Sequence, residues 1–229
     1  MQSYGQFCPV ALAAEVFCER WTAVILRELV SGSTRFSDIQ RGAPLMSPAL
    51  LTKRLKELEE AGVVEKRPAA QGRGAEYFLT DAGREFEPIV RALGAWGKKW
   101  VRPSEAAQKL DVNLLMWDMR RMVAPDALPE GEGIVCFEFE DLPESKNSRW
   151  LVCDGTDVNV CMTDPGKDVQ LYVLTDLETL TAVWRGDISV TRALDEDRIE
   201  LQGPTSYRRS FRAFLGPMPW TQIRSRVAA

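Results

Sequence analysis

Six residues in one short stretch have the types and spacing to hold a phosphate backbone and to read base edges: Ser47, Ala49, Thr52, Lys53, Arg54 and Lys56. Lysine and arginine neutralise phosphates or reach base edges, and serine and threonine hydroxyls hydrogen-bond to either. Arg35, at the head of the preceding short helical segment, joins this set. Arg73 stands alone in the glycine-rich run PAAQGRGAE, where a basic loop tip suits a neighbouring phosphate or a minor groove. By itself KRLKELEE is also what a solvated helix face looks like; the elements around it carry the argument.

Other chemistry is scarce. Histidine is absent, which excludes Ser-His-Asp and Cys-His catalysis and histidine metal sites. The five cysteines, Cys8, Cys18, Cys136, Cys153 and Cys161, contain no C-x-x-C pair, so neither a zinc site nor a disulfide framework is expected. No G-x-S-x-G or P-loop run is present. The chain reads as a non-enzyme without cofactor or metal. Cys8 is the one thiol placed for reactivity, because it sits at or beside the N-cap of the first helix, where free N–H groups favour the thiolate. Glu15 and Glu19 are close in sequence and no basic neighbour is visible, so an inert cap residue is the alternative.

The elements needed to position the basic set are legible. Cys8-Pro9 opens a helix to about Cys18, and Trp21, Val24, Leu26 and Leu29 mark a second that stops at Gly32. Arg35 to Gln40 forms a short third, and Gly42-Ala-Pro-Leu a turn. Ser47-Pro48 starts a helix to Gly62 whose Leu51, Leu55 and Leu58 form a buried stripe. Strands Val63–Arg67 and Tyr77–Leu79 make a hairpin. Thr80-Asp81 caps a fifth helix carrying Phe86, Ile89, Val90, Leu93, Trp96 and Trp100, with a kink expected at Pro88. The faces around Val10 and Phe17, and around Phe86, Ile89, Leu93, Trp96 and Trp100, exceed what one small domain buries. Pairing across a two-fold axis, or packing on a second domain, would cover them.

Residues 1–102 carry 15 Lys/Arg against 12 Asp/Glu, and residues 103–229 carry 14 against 21. A basic half joined to an acidic half hints at nucleic-acid contact. No apolar run spans a bilayer and no signal peptide is visible, so a cytoplasmic location is expected. The expected division is 1–102, a linker at 103–110, and 111–229.

The run CPVALAAEVFCERWTAVILRELVSGSTRFSDIQRGAPLMSPALLTKRLKELEEAGVVEKR resembles the HxlR-type winged-helix regulators. The likeness rests on Cys8-Pro9, Trp21 with Ile25 to Leu29, Arg35 to Ile39, the Leu51-Thr52-Arg54-Leu55-Leu58-Glu59-Gly62 pattern, YFLTDAG at 77–83, and Trp96. It covers roughly residues 7–102. It implies a bacterial repressor or activator that binds double-stranded DNA as a homodimer on a pseudo-palindromic operator. It also implies that the terminal helices build the dimer interface, and that Cys8 stands where some members sense oxidants or electrophiles.

The second half changes to α+β order. A helix over about 111–123 carries Trp117 and Met119. Strand-like runs follow at Ile134–Glu140, Trp150–Cys153, Val158–Met162 and Val169–Leu174, several alternating as half-buried antiparallel strands do. Thr175-Asp176 caps a helix with Leu177, Leu180, Val183 and Trp184, and a strand at Arg198–Gln202 precedes a helix at Ser206–Leu215. Asp176, Leu177, Leu180, Gly186-Asp187-Ile188 and Gly203-Pro204 resemble the sterol-carrier-protein type of lipid-binding domain, with Asp197 where that family has glycine. The fold class is therefore α+β: a mainly α winged helix-turn-helix followed by a sterol-carrier-protein-like domain. That resemblance implies a lipid or other apolar small molecule in a tunnel lined by Trp117, Met119, Phe137, Phe139, Trp184 and Phe211. The alternatives are that each of these is ordinary core and that the domain serves dimerisation or carries lipid.

Overall fold

The computed structural model describes residues 3–70, 74–102, 109–216, 222–223 and 225–227. The chain divides into two compact units, Met1–Gly94 and Ala95–Ala229, the division falling inside a helix. Most of the expected linker, residues 103–108, lies outside the described residues.

The first unit begins with α1 (Pro9–Phe17), α2 (Thr22–Val30), α3 (Phe36–Gly42) and α4 (Pro48–Glu60). Pro9 occupies the first turn of α1, where its missing N–H has no intrahelical partner to lose. Ser47 caps α4 by accepting a hydrogen bond from the Leu50 N–H, and Pro48 follows it. Strands β1 (Val64–Pro68) and β2 (Ala75–Leu79) pair antiparallel with Val64 opposite Leu79. The core gathers Ile25, Leu26, Ile39, Leu51, Leu55 and Leu58. The single kinked helix expected after Thr80 is two helices, α5 (Asp81–Arg84) and α6 (Glu87–Trp100). Proline removes an N–H that an interior turn needs, so the chain breaks before Pro88 and uses it in the first turn of α6.

The second unit holds α7 (Val112–Met119), capped by Asp111, and two short 3-10 turns at Pro125–Ala127 and Pro129–Gly131. Then come β3 (Glu132–Phe139), β4 (Ser148–Asp154), β5 (Asp157–Cys161), β6 (Leu171–Thr175), α8 (Leu177–Arg185), α9 (Val190–Asp195), β7 (Ile199–Gln202) and α10 (Thr205–Phe214). The sheet order is β5-β4-β3-β6-β7. All neighbours are antiparallel except β3 and β6, which run parallel with Val135 opposite Leu171. This departs from the expected antiparallel strands. Strand β3 is central, and its run Ile134–Phe137 is buried on both faces, as a central strand requires. Helix α9 was not foreseen; it is short, and its signal is Ser189, whose hydroxyl accepts from the Arg192 N–H. Phe137, Phe139 and Leu151 on the sheet pack against Leu180 of α8 and against Phe211 and Phe214 of α10.

Two turns explain the residues that resembled a known pattern. Asp197 has φ +55°, a left-handed geometry that glycine favours and aspartate tolerates, so aspartate serves the turn before β7. Gly203 has φ +146°, and a Cβ there would stand 2.4 Å from the Gln170 carbonyl oxygen, so the chain after β7 needs glycine.

Candidate nucleic-acid interface

Helix α4 separates its two faces cleanly. Leu51, Leu55 and Leu58 are buried, while Ser47, Ala49, Thr52, Lys53 and Lys56 are exposed together on the other side. The Thr52 hydroxyl donates to the Pro48 carbonyl at 2.9 Å. Lys53 and Lys56 reach Glu57 and Glu60 at 3.9 and 3.5 Å. Both ammonium groups are themselves exposed, Glu57 is already held by Arg54, and such surface contacts are worth at most about 1 kcal/mol each, so both lysines remain available to an anion.

Arg54 leaves this set. Its side chain is 12% exposed and turned inward, with Glu19 and Glu57 each at 2.6 Å. Its position in the stretch adjoins Leu55 and Leu58, so the helix turn that buries the leucines carries Arg54 to their flank. A guanidinium there is stable only against carboxylates.

The turn that presents α4 is held by polar contacts that sequence reading missed. Glu28 is fully buried and accepts from Arg27 Nη2 at 2.7 Å and from the Ser33 hydroxyl at 3.1 Å. Arg27 also donates to the Gly42 carbonyl at 2.7 Å. A Cβ on Gly42 would stand 1.9 Å from the Glu28 carboxyl carbon, so α3 lies against α2 through glycine. Gly42, expected in a turn, is the last residue of α3. Gln40 Nε2 then donates to the carbonyls of Ala43 (3.2 Å) and Met46 (2.6 Å), fixing the bend before Ser47. The signal was the Arg-Glu pair inside an apolar helix, where a buried carboxylate demands partners.

Arg35 is exposed at the N-cap of α3, with Nε 3.5 Å from Glu76 of β2, and the Tyr77 N–H donates to the Thr34 carbonyl at 2.8 Å. The wing strand is thereby tied to the start of α3. Lys66 and Arg67 are exposed on β1. Arg73 lies outside the described residues.

The residues expected at a dimer interface divide. Phe17 and Phe86 stack at 5.5 Å, half-buried against the core of their own unit, which uses up much of their apolar surface. Val10 is 76% exposed, and Ile89, Leu93, Trp96 and Trp100 are exposed along α6 at a helical spacing that places them on one side. Cys8 is exposed at the N-cap of α1, and the Ala11 and Val10 backbone N–H groups hold its thiol below the ordinary range.

Of the residues expected around an apolar ligand, Met119, Phe137, Phe139 and Phe211 pack together in the core of the second unit. Trp117 is buried beneath the Arg120 guanidinium, 4.0 Å from the ring centroid. Trp184 borders a cavity of about 290 Å³ with Leu110, Leu114, Leu115, Thr181 and Arg185. The cavity thus lies at α7 and α8, and the aromatic sheet residues fill the core. Lys98 near the end of α6 is buried against Asp187, which also accepts from Arg185 Nε at 2.9 Å. Asp187, singled out in the sequence, therefore anchors a helix. Among the described residues no helix is long and apolar enough to cross a membrane.

The HxlR-like helix-turn-helix family profile matches residues 16–105. An HTH-type transcriptional regulator of uncharacterised role, YvaP of Bacillus subtilis, is 39% identical over 103 residues, covering 44% of this chain and 94% of YvaP. A similarly described regulator of Methanothermobacter thermautotrophicus is 36% identical over 95 residues, covering 41% of this chain and 72% of that one. Among solved structures, the redox regulator HypR in its reduced form is 33% identical, covers 40% of this chain and 91% of that chain, and has a TM-score of 0.38. With α4 capped, backed by its leucines and followed by a two-stranded wing, the chain belongs to the HxlR-like helix-turn-helix family of transcriptional regulators.

Proposed function

We propose that the protein is a cytoplasmic homodimer that binds a pseudo-palindromic operator and is modulated by an apolar small molecule held in its second unit. The observation that carries the DNA reading is the exposed row Ser47, Ala49, Thr52, Lys53 and Lys56, opposite a fully buried leucine stripe. Helix α4 enters the major groove with that row, Arg35 and the wing, including Arg73, meet flanking backbone, and two copies read half-sites ~34–36 Å apart. The exposed apolar residues Val10, Ile89, Leu93, Trp96 and Trp100 build the contact between copies. The cavity beside Trp184 supports the ligand reading: Leu110, Leu114 and Leu115 give it an apolar wall, and Asp111, Asp118 and Arg185 stand at its polar side.

Footprinting on the intergenic region upstream of the protein's own gene tests the operator, with a protected pseudo-palindrome expected. Absence of any protected site there and across a genomic selection of bound fragments overturns the reading. Native mass spectrometry of the same preparation reports the dimer and any retained molecule. A second reading concerns Cys8: its exposure and lowered thiol pKa favour an oxidant response. Cys8→Ser should abolish oxidant-induced release from DNA, and an unchanged response excludes it.

A further inference from the structure

We infer that Arg208, Arg209 and Arg212 on α10 form a second phosphate-binding strip, which takes the DNA backbone in addition to the helix-turn-helix; the inference rests on the DNA-binding reading above. Helix α10, TSYRRSFRAF, carries three arginines and no acid. At 100° per residue Arg208, Arg212 and Arg209 fall within one 100° arc, and all three are exposed. The opposite arc holds Phe211 and Phe214, both fully buried in the core of the second unit. With its apolar face already packed, α10 cannot lie in a bilayer surface as an amphipathic anchor does.

Among the described residues these arginines have no carboxylate partner. Arg208 Nη2 donates to the Thr205 hydroxyl at 3.3 Å, and neither Arg209 nor Arg212 has an acidic partner among the described residues. Elsewhere in this unit arginines hold acids: Arg121 pairs with Asp118, Arg185 with Asp187, Arg192 with Glu196. Residues 103–229 contain 21 acids against 14 basic residues, so counter-ions are abundant, yet among the described residues this row has none. Like charges at i and i+4, as at Arg208 and Arg212, destabilise an isolated helix. An external polyanion relieves that repulsion, and the guanidinium fork matches phosphate oxygens. From Arg208 to Arg212 the helix rises ~6 Å, a length over which a DNA duplex carries roughly three to four phosphates. Such contacts position the protein without reading sequence.

The test is fluorescence anisotropy of the full chain with a labelled random-sequence 60-bp duplex between 50 and 200 mM salt. Replacing all three arginines by glutamine should lower the slope of log K against log salt by about 2.7, which removes roughly 40-fold of the salt sensitivity over that range. The Lys-for-Arg triple variant should keep the slope. Circular dichroism and dimer mass should be unchanged, since the replaced groups are exposed. An unchanged slope in the glutamine variant, while Lys53→Ala/Lys56→Ala lowers it, overturns the strip and leaves the regulator reading standing. Failure of the unaltered chain to bind any duplex overturns both. An unchanged slope with lost binding to phosphatidylserine vesicles assigns the strip to a lipid surface and also overturns it.

Discussion

Arg54 of α4 and Glu19, at the turn between α1 and α2, meet at 2.6 Å, although 35 residues separate them in the chain. The pair ties α4 to the start of the helical array. Arg54→Ala leaves Glu19 and Glu57 facing each other across the lost cation, and should cost about 1–3 kcal/mol in urea unfolding, below the full buried-pair value because Glu19 is partly solvated. Arg54→Lys should recover only part of this, since an ammonium cannot span two carboxylates as a guanidinium does. Undiminished stability with lost DNA affinity would return Arg54 to the DNA face.

Lys53 and Lys56 behave oppositely. Their alanine variants should keep unfolding free energies within about 0.5 kcal/mol of the parent, because both ammonium groups are exposed and Glu57 keeps Arg54 as its partner. Each should reduce the salt slope of DNA binding by about 1 and weaken binding to all sequences alike. A sequence-selective loss at Lys53 would mean that it reads a base.

Gly42→Ala places a methyl group where the Glu28 carboxylate sits. The carboxylate must leave its Arg27 and Ser33 partners or α3 must move, at a cost of about 2–3 kcal/mol. Because Gln40 just before Gly42 holds the turn through Ala43 and Met46 that leads into α4, DNA affinity should fall along with the melting temperature. A stable variant with normal affinity would show that α2 and α3 do not need this close approach.

The cysteines predict a pH dependence. Burial pushes the Cys136 thiol up to about 12, with Glu138 and Asp164 adding to the shift, and burial alone pushes Cys153 up to about 11, both from an ordinary 9.0. The unfolded chain therefore loses these protons first as pH rises. Their stabilisation of the folded form is whole below about pH 9 and is lost progressively as pH climbs towards 11 and 12. Urea midpoints should fall over that window, and Cys136→Ala should flatten the fall.

Cys8 shifts the other way, so iodoacetamide should label it at pH 7 well ahead of Cys136 and Cys153. Peptide mapping after a short pulse checks the order. Equal labelling of Cys8 and the buried thiols would contradict both the exposure and the backbone stabilisation of its thiolate.

What was legible in the amino-acid order was local. Ser47, Thr80 and Asp176 cap helices through partners three residues away, and Leu51, Leu55 and Leu58 share a face by the pitch of the helix alone. The exposed row on α4 follows from the same pitch, so most of the candidate interface could be read directly. Pro88 was misread because proline marks a break without saying whether the chain bends or restarts. Only the tertiary structure decided the rest: Arg54 turning to Glu19, Gly42 yielding space to Glu28, β6 joining β3 in parallel, and the aromatic residues of β3 filling a core while the cavity formed beside Trp184. Each of these depends on which distant segment arrives alongside. Burial then sets the electrostatics and packing, and no spacing along the chain encodes the identity of that neighbour.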